Sequence, residues 1–255
     1  MVRKSKPVRA LSALLALILS LSLTPAAQAV ECRKQEHLGK FFTLCEVDAR
    51  IDDVMLFHTD PRTGEPFGTF SNIDSYLEET GRKLGLAMNA GMYHQDRSPV
   101  GLFQDGSGET APLVTTDGPG NFGLLPNGVF CLQEGRAHVI ESLRFKRENP
   151  ACRAASQSGP MLVIGGKLHP RFLPDSDSRY IRNGVGTSAD GRRIVLAISD
   201  TPVTFHEFGT LFRDTLGLPD ALYFDGKISR LYAPSMDRFD AGFPMGPIVG
   251  VVVPR

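Results

Sequence analysis

"ALYFDGKISRLYAP", Ala221–Pro234, decides how the chain is read. Ala221 to Phe224 is a short apolar run of the kind that forms a buried strand. It stops on Asp225-Gly226. Asp-Gly is a common turn pair, but a strand that ends on an acid also delivers a carboxylate to the edge of a sheet. Which of the two Asp225 is depends on what the rest of the chain brings to the same place.

Just upstream, "TPVTFHEFGTLFRDTLGLPD" reads as the clearest helix. Thr204 and Glu207 have capping-box spacing, and Phe205, Phe208, Leu211, Phe212 and Leu216 fall on one stripe. Gly217 and Pro219 stop it. Before it, "NGVGTSADGRRIVLAISD" reads as a hairpin with Asp190-Gly191 at its tip, and "MLVIGGKL" as another around Gly165-Gly166. "FFTLCEVDARIDDVMLF" reads as two strands around a turn near Asp52-Asp53. "FSNIDSYLEETG" reads as a helix with Ser71 as its cap and Gly81 as its stop. "LGLAMNAGMY" is a strand running into a turn, and "VGLFQDG" a strand with a turn at Asp105-Gly106. Asn127-Gly128 marks a further turn. "PIVGVVV" is apolar on both faces, as a central strand is. Many strands and few helices predict an α+β class: one domain around a mixed, largely antiparallel sheet with a few flanking helices.

Residues 1–29 read as a secretory signal peptide. Arg3, Lys4, Lys6 and Arg9 form a basic head, Ala10 to Leu23 an apolar run of 14 residues, and "AQA" a cleavage site. The apolar run is short for a membrane span. The expected mature domain is 30–255, secreted or periplasmic, with no membrane span once the leader is removed. The whole chain balances 28 Lys+Arg against 28 Asp+Glu, and all four leader charges are basic, so the mature part is net acidic. Its basic residues are scattered, which argues against nucleic acid as a partner. Cys32, Cys45, Cys131 and Cys152 are an even set, read as two disulfides in an oxidising compartment. Three pairings are open; closeness in sequence favours Cys32–Cys45 and Cys131–Cys152.

Four strand ends share one arrangement, in which an apolar strand meets a glycine turn carrying polar groups. "LAMNAGMYH" presents Asn89, Gly91 and His94, and "SQSGP" presents Ser158 beside Gly159. "SRYIRNGVG" presents Arg182 and Asn183, and "YFDGKIS" presents Asp225, Gly226 and Ser229. Each alone has an ordinary explanation: Asn and Asp bond their own backbone in turns, and Glu207 is first a helix cap. No G-x-S-x-G elbow, H-E-x-x-H helix or phosphate loop is present. "GPGNFG" lacks the strand-then-helix context of a dinucleotide site. No ligand spacing supports a divalent metal, and no cofactor is expected.

"AMNAGMY", "QSGPMLV", "IRNGVGTSADG" and "LYFDGKIS", in that order, resemble the phosphodiester glycosidase family, and its small secreted bacterial members most. The resemblance runs from about Phe41 to Val253. It implies a hydrolase that cleaves a glycosidic bond to phosphate, acting on a carbohydrate or sugar-phosphate substrate. It assigns Asp225, Arg182 and Glu207 to catalysis. To the substrate it assigns Asn89, Gly91, Gly159, Gly226 and Ser229, and the strand-end reading adds His94, Ser158 and Asn183 to that set. A phosphate leaving group needs little acid help, but it needs a cation to hold it and a carboxylate beside the anomeric carbon. One departure is plain: where the family carries D-G-G-G-S, this chain has Lys227 and Ile228 in place of the last two glycines. The altered turn motivates the alternative, a non-catalytic envelope protein that binds anionic sugars or glycans.

Overall fold

The computed structural model describes residues 1–2 and 30–255, so the expected leader lies almost wholly outside the described residues. The first strands are β1 (Glu31–His37), β2 (Lys40–Asp48), β3 (Asp53–Phe57), β4 (Arg82–Asn89), β5 (Phe103–Asp105) and β6 (Gly108–Ala111). Then come β7 (Gly128–Gln133), β8 (Arg136–Glu141), β9 (Ala154–Ser158), β10 (Met161–Ile164), β11 (Lys167–Leu168) and β12 (Asn183–Thr187). The last are β13 (Arg193–Ser199), β14 (Asp220–Asp225), β15 (Leu231–Ala233), β16 (Arg238–Phe239) and β17 (Ile248–Pro254). Three helices accompany them: α1 (Phe70–Glu78), α2 (Ser142–Glu148) and α3 (Phe205–Thr210).

The class is α+β, but the strands divide over three sheets rather than one, and every described pairing is antiparallel. The first sheet runs β1-β2-β13-β12-β14-β10-β11, the second β16-β15-β4-β17-β3, and the third β6-β5-β9-β7-β8. Their inner faces enclose one shared core. Leu196, Leu222 and Phe224 come from the first sheet, Leu86, Met88 and Val249 from the second, and Phe130 and Val139 from the third. Each outer face is covered by one helix: Phe208 of α3 packs with Val195 and Tyr223, Ile73 and Leu77 of α1 with Leu84 and Ile248, and Phe145 of α2 with Val129 and Cys131. This explains why β13, β14 and β17 are apolar between their ends, over Ile194–Ile198, Ala221–Phe224 and Ile248–Val253. Alternate residues enter different cores, so neither face has water to meet. β17 lies between β4 and β3, inside its sheet as expected.

The local signals hold where short-range chemistry sets them. Thr204 and Glu207 form the capping box of α3. The helix then loosens into a π turn at Leu211–Thr215, where Leu216 N–H donates to the Leu211 carbonyl at 3.0 Å. Gly165 and Gly166 take φ of +52° and +79° at the β10–β11 hairpin, a backbone open mainly to glycine. Two local expectations are corrected. Thr69, not Ser71, caps α1, accepting from Asn72 N–H at 3.2 Å. Asn127-Gly128 is no hairpin tip: Gly128 begins β7, and the tip is Glu134-Gly135. Pro126 has no N–H to give to a ladder, so no strand precedes Asn127 for β7 to fold back on. Among the described residues no helix is long and apolar enough to cross a membrane.

Both disulfides form as sequence proximity favoured, Cys32–Cys45 between facing residues of β1 and β2, and Cys131–Cys152 over 21 residues. A loop of that length restricts the unfolded chain by about 3 kcal/mol. The Cys131→Ala/Cys152→Ala variant should therefore melt about 6–12 °C below the parent in a thermal scan. A shift under about 2 °C would remove the bridge from the account of stability.

Candidate active site

The site is built where strands of all three sheets end. β12 and β14 are antiparallel, so the start of one lies beside the end of the other, with Asn183 opposite Asp225. A bulge between Asn183 and Gly184 sharpens the bend there. Gly184 has no alternative at this point, because a Cβ would run into the Leu222 carbonyl of β14. β4 pairs with β15 through Met88 and Leu231, which brings Asn89 beside Arg230. From the third sheet, the buried Ser158 hydroxyl donates to the Phe224 carbonyl at 3.0 Å, one residue before Asp225.

Asn89 and Asn183 are fully buried and lock these ends together. Asn183 Nδ2 donates to the Asn89 backbone carbonyl and to Asn89 Oδ1, both at 2.9 Å. Asn89 Nδ2 donates back to Asn183 Oδ1 at 3.3 Å. Two backbone amides fix both orientations, since an N–H can only donate. Asp225 N–H reaches Asn183 Oδ1 at 3.1 Å, and Arg230 N–H reaches Asn89 Oδ1 at 3.0 Å. The Ser229 hydroxyl closes the ring beside the Asp225 carbonyl at 2.8 Å, the Ile181 carbonyl at 2.9 Å and Asn183 Oδ1 at 3.3 Å, serving one at a time with its single proton.

The Asp225 carboxylate is partly exposed at the rim of this network. Its Oδ1 accepts from Gly226 N–H at 2.5 Å and Lys227 N–H at 2.9 Å. Burial nevertheless pushes its pKa up, against the amides of Lys227, Gly226 and Ile228 and the Lys227 charge. Tyr93 stands where it feels Asp225 and Arg230 together. Burial and then the Asp225 carboxylate raise its pKa, while Arg230 and Arg97 pull it down. Tyr223, two residues before Asp225 on β14, is buried with its hydroxyl beside Arg182 and Asn121. Burial is the main cause of its strongly raised pKa, with the Asp225 charge adding to it. Gly226 packs on that hydroxyl so closely that a Cβ would collide with it.

Arg182 precedes Asn183 and points to the opposite face, as successive strand residues do. It is fully buried toward α3. Nε donates to the Val203 carbonyl at 2.9 Å and Nη2 to the Ser178 carbonyl at 3.0 Å. The guanidinium lies 3.7 Å from the centre of the Phe205 ring. Nη1 has no hydrogen-bond partner among the described residues, and the Tyr223 hydroxyl is beside the group. Arg182 and Asp225 form no ion pair; the Tyr223 hydroxyl feels both charges.

The remaining expected residues sit around this centre. Glu207 is engaged at the start of α3, accepting from Thr204 N–H at 2.8 Å and from Arg179 Nη1 at 2.7 Å. Burial works to raise its pKa, but Arg179 and the Thr204 amide outweigh it and leave it lowered. His94 is exposed on the loop after β4. Gly91 and Gly159 hold turns rather than offer groups. A Cβ on Gly91 would meet Ser156 Oγ at 3.0 Å, and one on Gly159 would meet Asn127 Cβ at 2.7 Å. Asn89, Ser158, Asn183, Asp225, Gly226 and Ser229 thus come together, whereas Glu207 and His94 make no contact with the network. Sequence reasoning placed Tyr93 just beyond the Asn89 turn without giving it a role, and overlooked Arg230 and Tyr223. Tyr223 was legible in principle, because a residue two before Asp225 on a strand shares its face. Among the described residues no group of three or more His, Cys, Asp or Glu is placed to share a metal ion.

Comparison with known proteins bears on the same residues. The family model for phosphodiester glycosidase matches residues 82–241, well over half of the chain. The uncharacterized protein YigE of Escherichia coli (strain K12) is 32% identical over 169 residues, which are 66% of this chain and 65% of that protein, just under two thirds of its length. Among solved structures, the fold is similar to the zebrafish N-acetylglucosamine-1-phosphodiester alpha-N-acetylglucosaminidase catalytic domain auto-inhibited by its pro-peptide. The TM-score is 0.55 at 11% identity, covering 90% of this chain and 84% of the other. It is also similar to a protein of Burkholderia pseudomallei K96243, with a TM-score of 0.56 at 10% identity, covering 83% and 74%. At such identities the structural likeness is one of fold. The matched span runs from the first residue of β4 to just beyond Asp240 and so holds Asn89, Ser158, Asn183, Asp225 and Ser229: the chain belongs to the phosphodiester glycosidase family.

Proposed function

We propose that this protein is an exported hydrolase that cleaves the bond between the anomeric carbon of a sugar and a phosphodiester. The observation that carries the reading is Asp225: a partly desolvated carboxylate, fixed by its own turn amides, at the point where strand ends of three sheets meet. Water adds at the anomeric carbon, the bond from that carbon to the phosphate oxygen breaks, and a phosphate monoester leaves with the electron pair. Asp225 takes the proton of the attacking water, and its charge stabilises the oxocarbenium-like transition state. Its raised pKa makes it a stronger base than an exposed Asp. A phosphate monoester is a good leaving group, so a second carboxylate as acid is not demanded. That agrees with Glu207 being held by Arg179 and the helix start. Asn89, Asn183 and Ser229 keep the Asp225 backbone in place. The Arg182 guanidinium lies beside the buried Tyr223 hydroxyl. The two disulfides support an oxidising compartment, in keeping with the leader expected over residues 1–29.

The test is product analysis. The purified protein is incubated with a UDP-linked or aryl-phosphate-linked N-acetylhexosamine and, in parallel, with the matched aryl glycoside without phosphate. Release of free sugar together with UDP or the aryl phosphate, from the first only, is the expected outcome. Cleavage of both at similar rates points to an ordinary glycosidase. Binding by calorimetry with no product from either moves the protein to an anionic-sugar-binding role.

A further inference from the structure

Arg230 follows Ser229 directly and was not singled out by the sequence. It is 8% exposed. Its backbone is pinned by Asn89 Oδ1, the group that also receives Asn183. Yet among the described residues its guanidinium makes no ion pair and no hydrogen bond. The other arginines deep in this region are provided for. Arg182 donates to two carbonyls, and Arg238 pairs with Asp200 at 2.8 Å and Asp240 at 3.0 Å. Asp240, the acid whose charge acts on Arg230, is bonded to Arg238 and to Leu231 N–H.

The surroundings are shaped to this side chain. Gly242 lies against the guanidinium at φ +143°, and a Cβ there would come within 2.5 Å of Nη2. Two cavities, of about 480 and 540 Å³, open beside it, and Arg230, Phe239, Asp240 and Ala241 line both. The first adds Phe70 and Tyr232, aromatic faces of the kind that receive a sugar ring, with Asp74 engaged by Leu84 N–H and the Tyr232 hydroxyl; the second adds Ser229 and Arg238. Among the described residues the guanidinium faces these open cavities with its nitrogens unengaged, so an anion entering them meets a charge that no carboxylate has bonded. Its planar fork suits two phosphate oxygens.

We infer that Arg230 is the residue that holds the phosphoryl group of the substrate, in the space between these two cavities and one residue beyond the Ser229 turn. The inference rests on the phosphodiester reading for its substrate, but not for its anion. The altered motif then makes sense as a unit: in "DGKISR", catalysis stays with Asp225 and anion binding falls to Arg230.

The probe is inorganic phosphate, read by calorimetry and by the shift in unfolding temperature, on the intact protein and on Arg230→Met, Arg230→Lys and Asp225→Asn. Phosphate should bind the parent and raise its melting temperature. Arg230→Met should bind at least about tenfold more weakly, as loss of charge-assisted hydrogen bonds implies, and should melt no lower than the parent in phosphate-free buffer. Arg230→Lys should recover part of the affinity, and Asp225→Asn should keep all of it. A parent that does not bind phosphate, or an Arg230→Met variant that binds it unchanged, overturns the inference. So does an Arg230→Met variant that melts far below the parent with its affinity intact, since that marks a structural role. If phosphate binding follows Arg230 while no glycosyl phosphodiester is turned over, the anion site stands and the hydrolase reading falls.

Discussion

The Asp225→Asn variant should fold as the parent does and lose about 100- to 10,000-fold in turnover of a glycosyl phosphodiester, the range for removal of a positioned acid–base group. Folding is spared because an amide Oδ1 can accept from Gly226 and Lys227 N–H as the carboxylate does. The direction of the pKa shift sharpens this. Burial raises the Asp225 pKa, so the folded protein holds that proton more tightly than the unfolded chain. The group therefore favours folding most at low pH, and that contribution is lost as pH rises from the unfolded to the folded pKa. At neutral pH the ionised, desolvated carboxylate is a cost that Asn removes, so the variant should melt at or above the parent temperature. In the parent, the acid limb of the rate profile should fall through a pKa above the ordinary Asp range. A variant with full activity would show that Asp225 is only a turn residue, and a large loss of melting temperature would show that its charge is structural.

The Asn183→Ala variant should have the largest effect on stability, about 3–5 kcal/mol. Asn183 is fully buried and serves Asn89 and Asp225 at once. Its truncation leaves the Asp225 N–H, Asn89 Nδ2 and Asn89 Oδ1 short of partners in a dry place, and an unpaired buried polar group costs about 1–3 kcal/mol. The expected fall in melting temperature is about 10 °C. The control is a double-mutant cycle with Asn89→Ala. Because the two amides mainly satisfy each other, the double variant should lose clearly less than the sum of the single losses. Additive losses, or a single loss under about 1 kcal/mol, would mean that the pair does not hold the sheets together. Activity should fall with Asn183→Ala as well, since Asp225 loses the acceptor for its backbone amide.

How far the sequence could be read follows from the range of each force. The capping box at Thr204 and Glu207, the Gly165-Gly166 turn and the apolar runs of β13, β14 and β17 were legible because a few neighbouring residues determine them. Asn127-Gly128 misled because a turn pair has meaning only with strands on both sides, and Pro126 removes one. Glu207 could be singled out by the family resemblance, but not its engagement with Arg179, 28 residues earlier in the chain. Arg182 and Arg230 show the limit best. Both are arginines beside a polar strand end, and nothing local says which one finds carbonyls to bond. The packing of Phe205, Val203 and Ser178 occupies Arg182, while Arg238 pairs with Asp240, the acid whose charge acts on Arg230.

By itself the sequence determined the α+β class, the favoured disulfide pairs, the family resemblance, and the fact that an apolar strand ends on Asp225. These depend on periodicity, on closeness along the chain and on ordered motifs. Only the tertiary structure decided that the strands form three sheets around one core, that Asn89 and Asn183 clamp the ends of the first two, and that Arg230 makes no ion pair among the described residues. The reason is that hydrogen bonds and charges are satisfied between residues as far apart as 94 and 141 positions, and no local pattern records which distant partner arrives first.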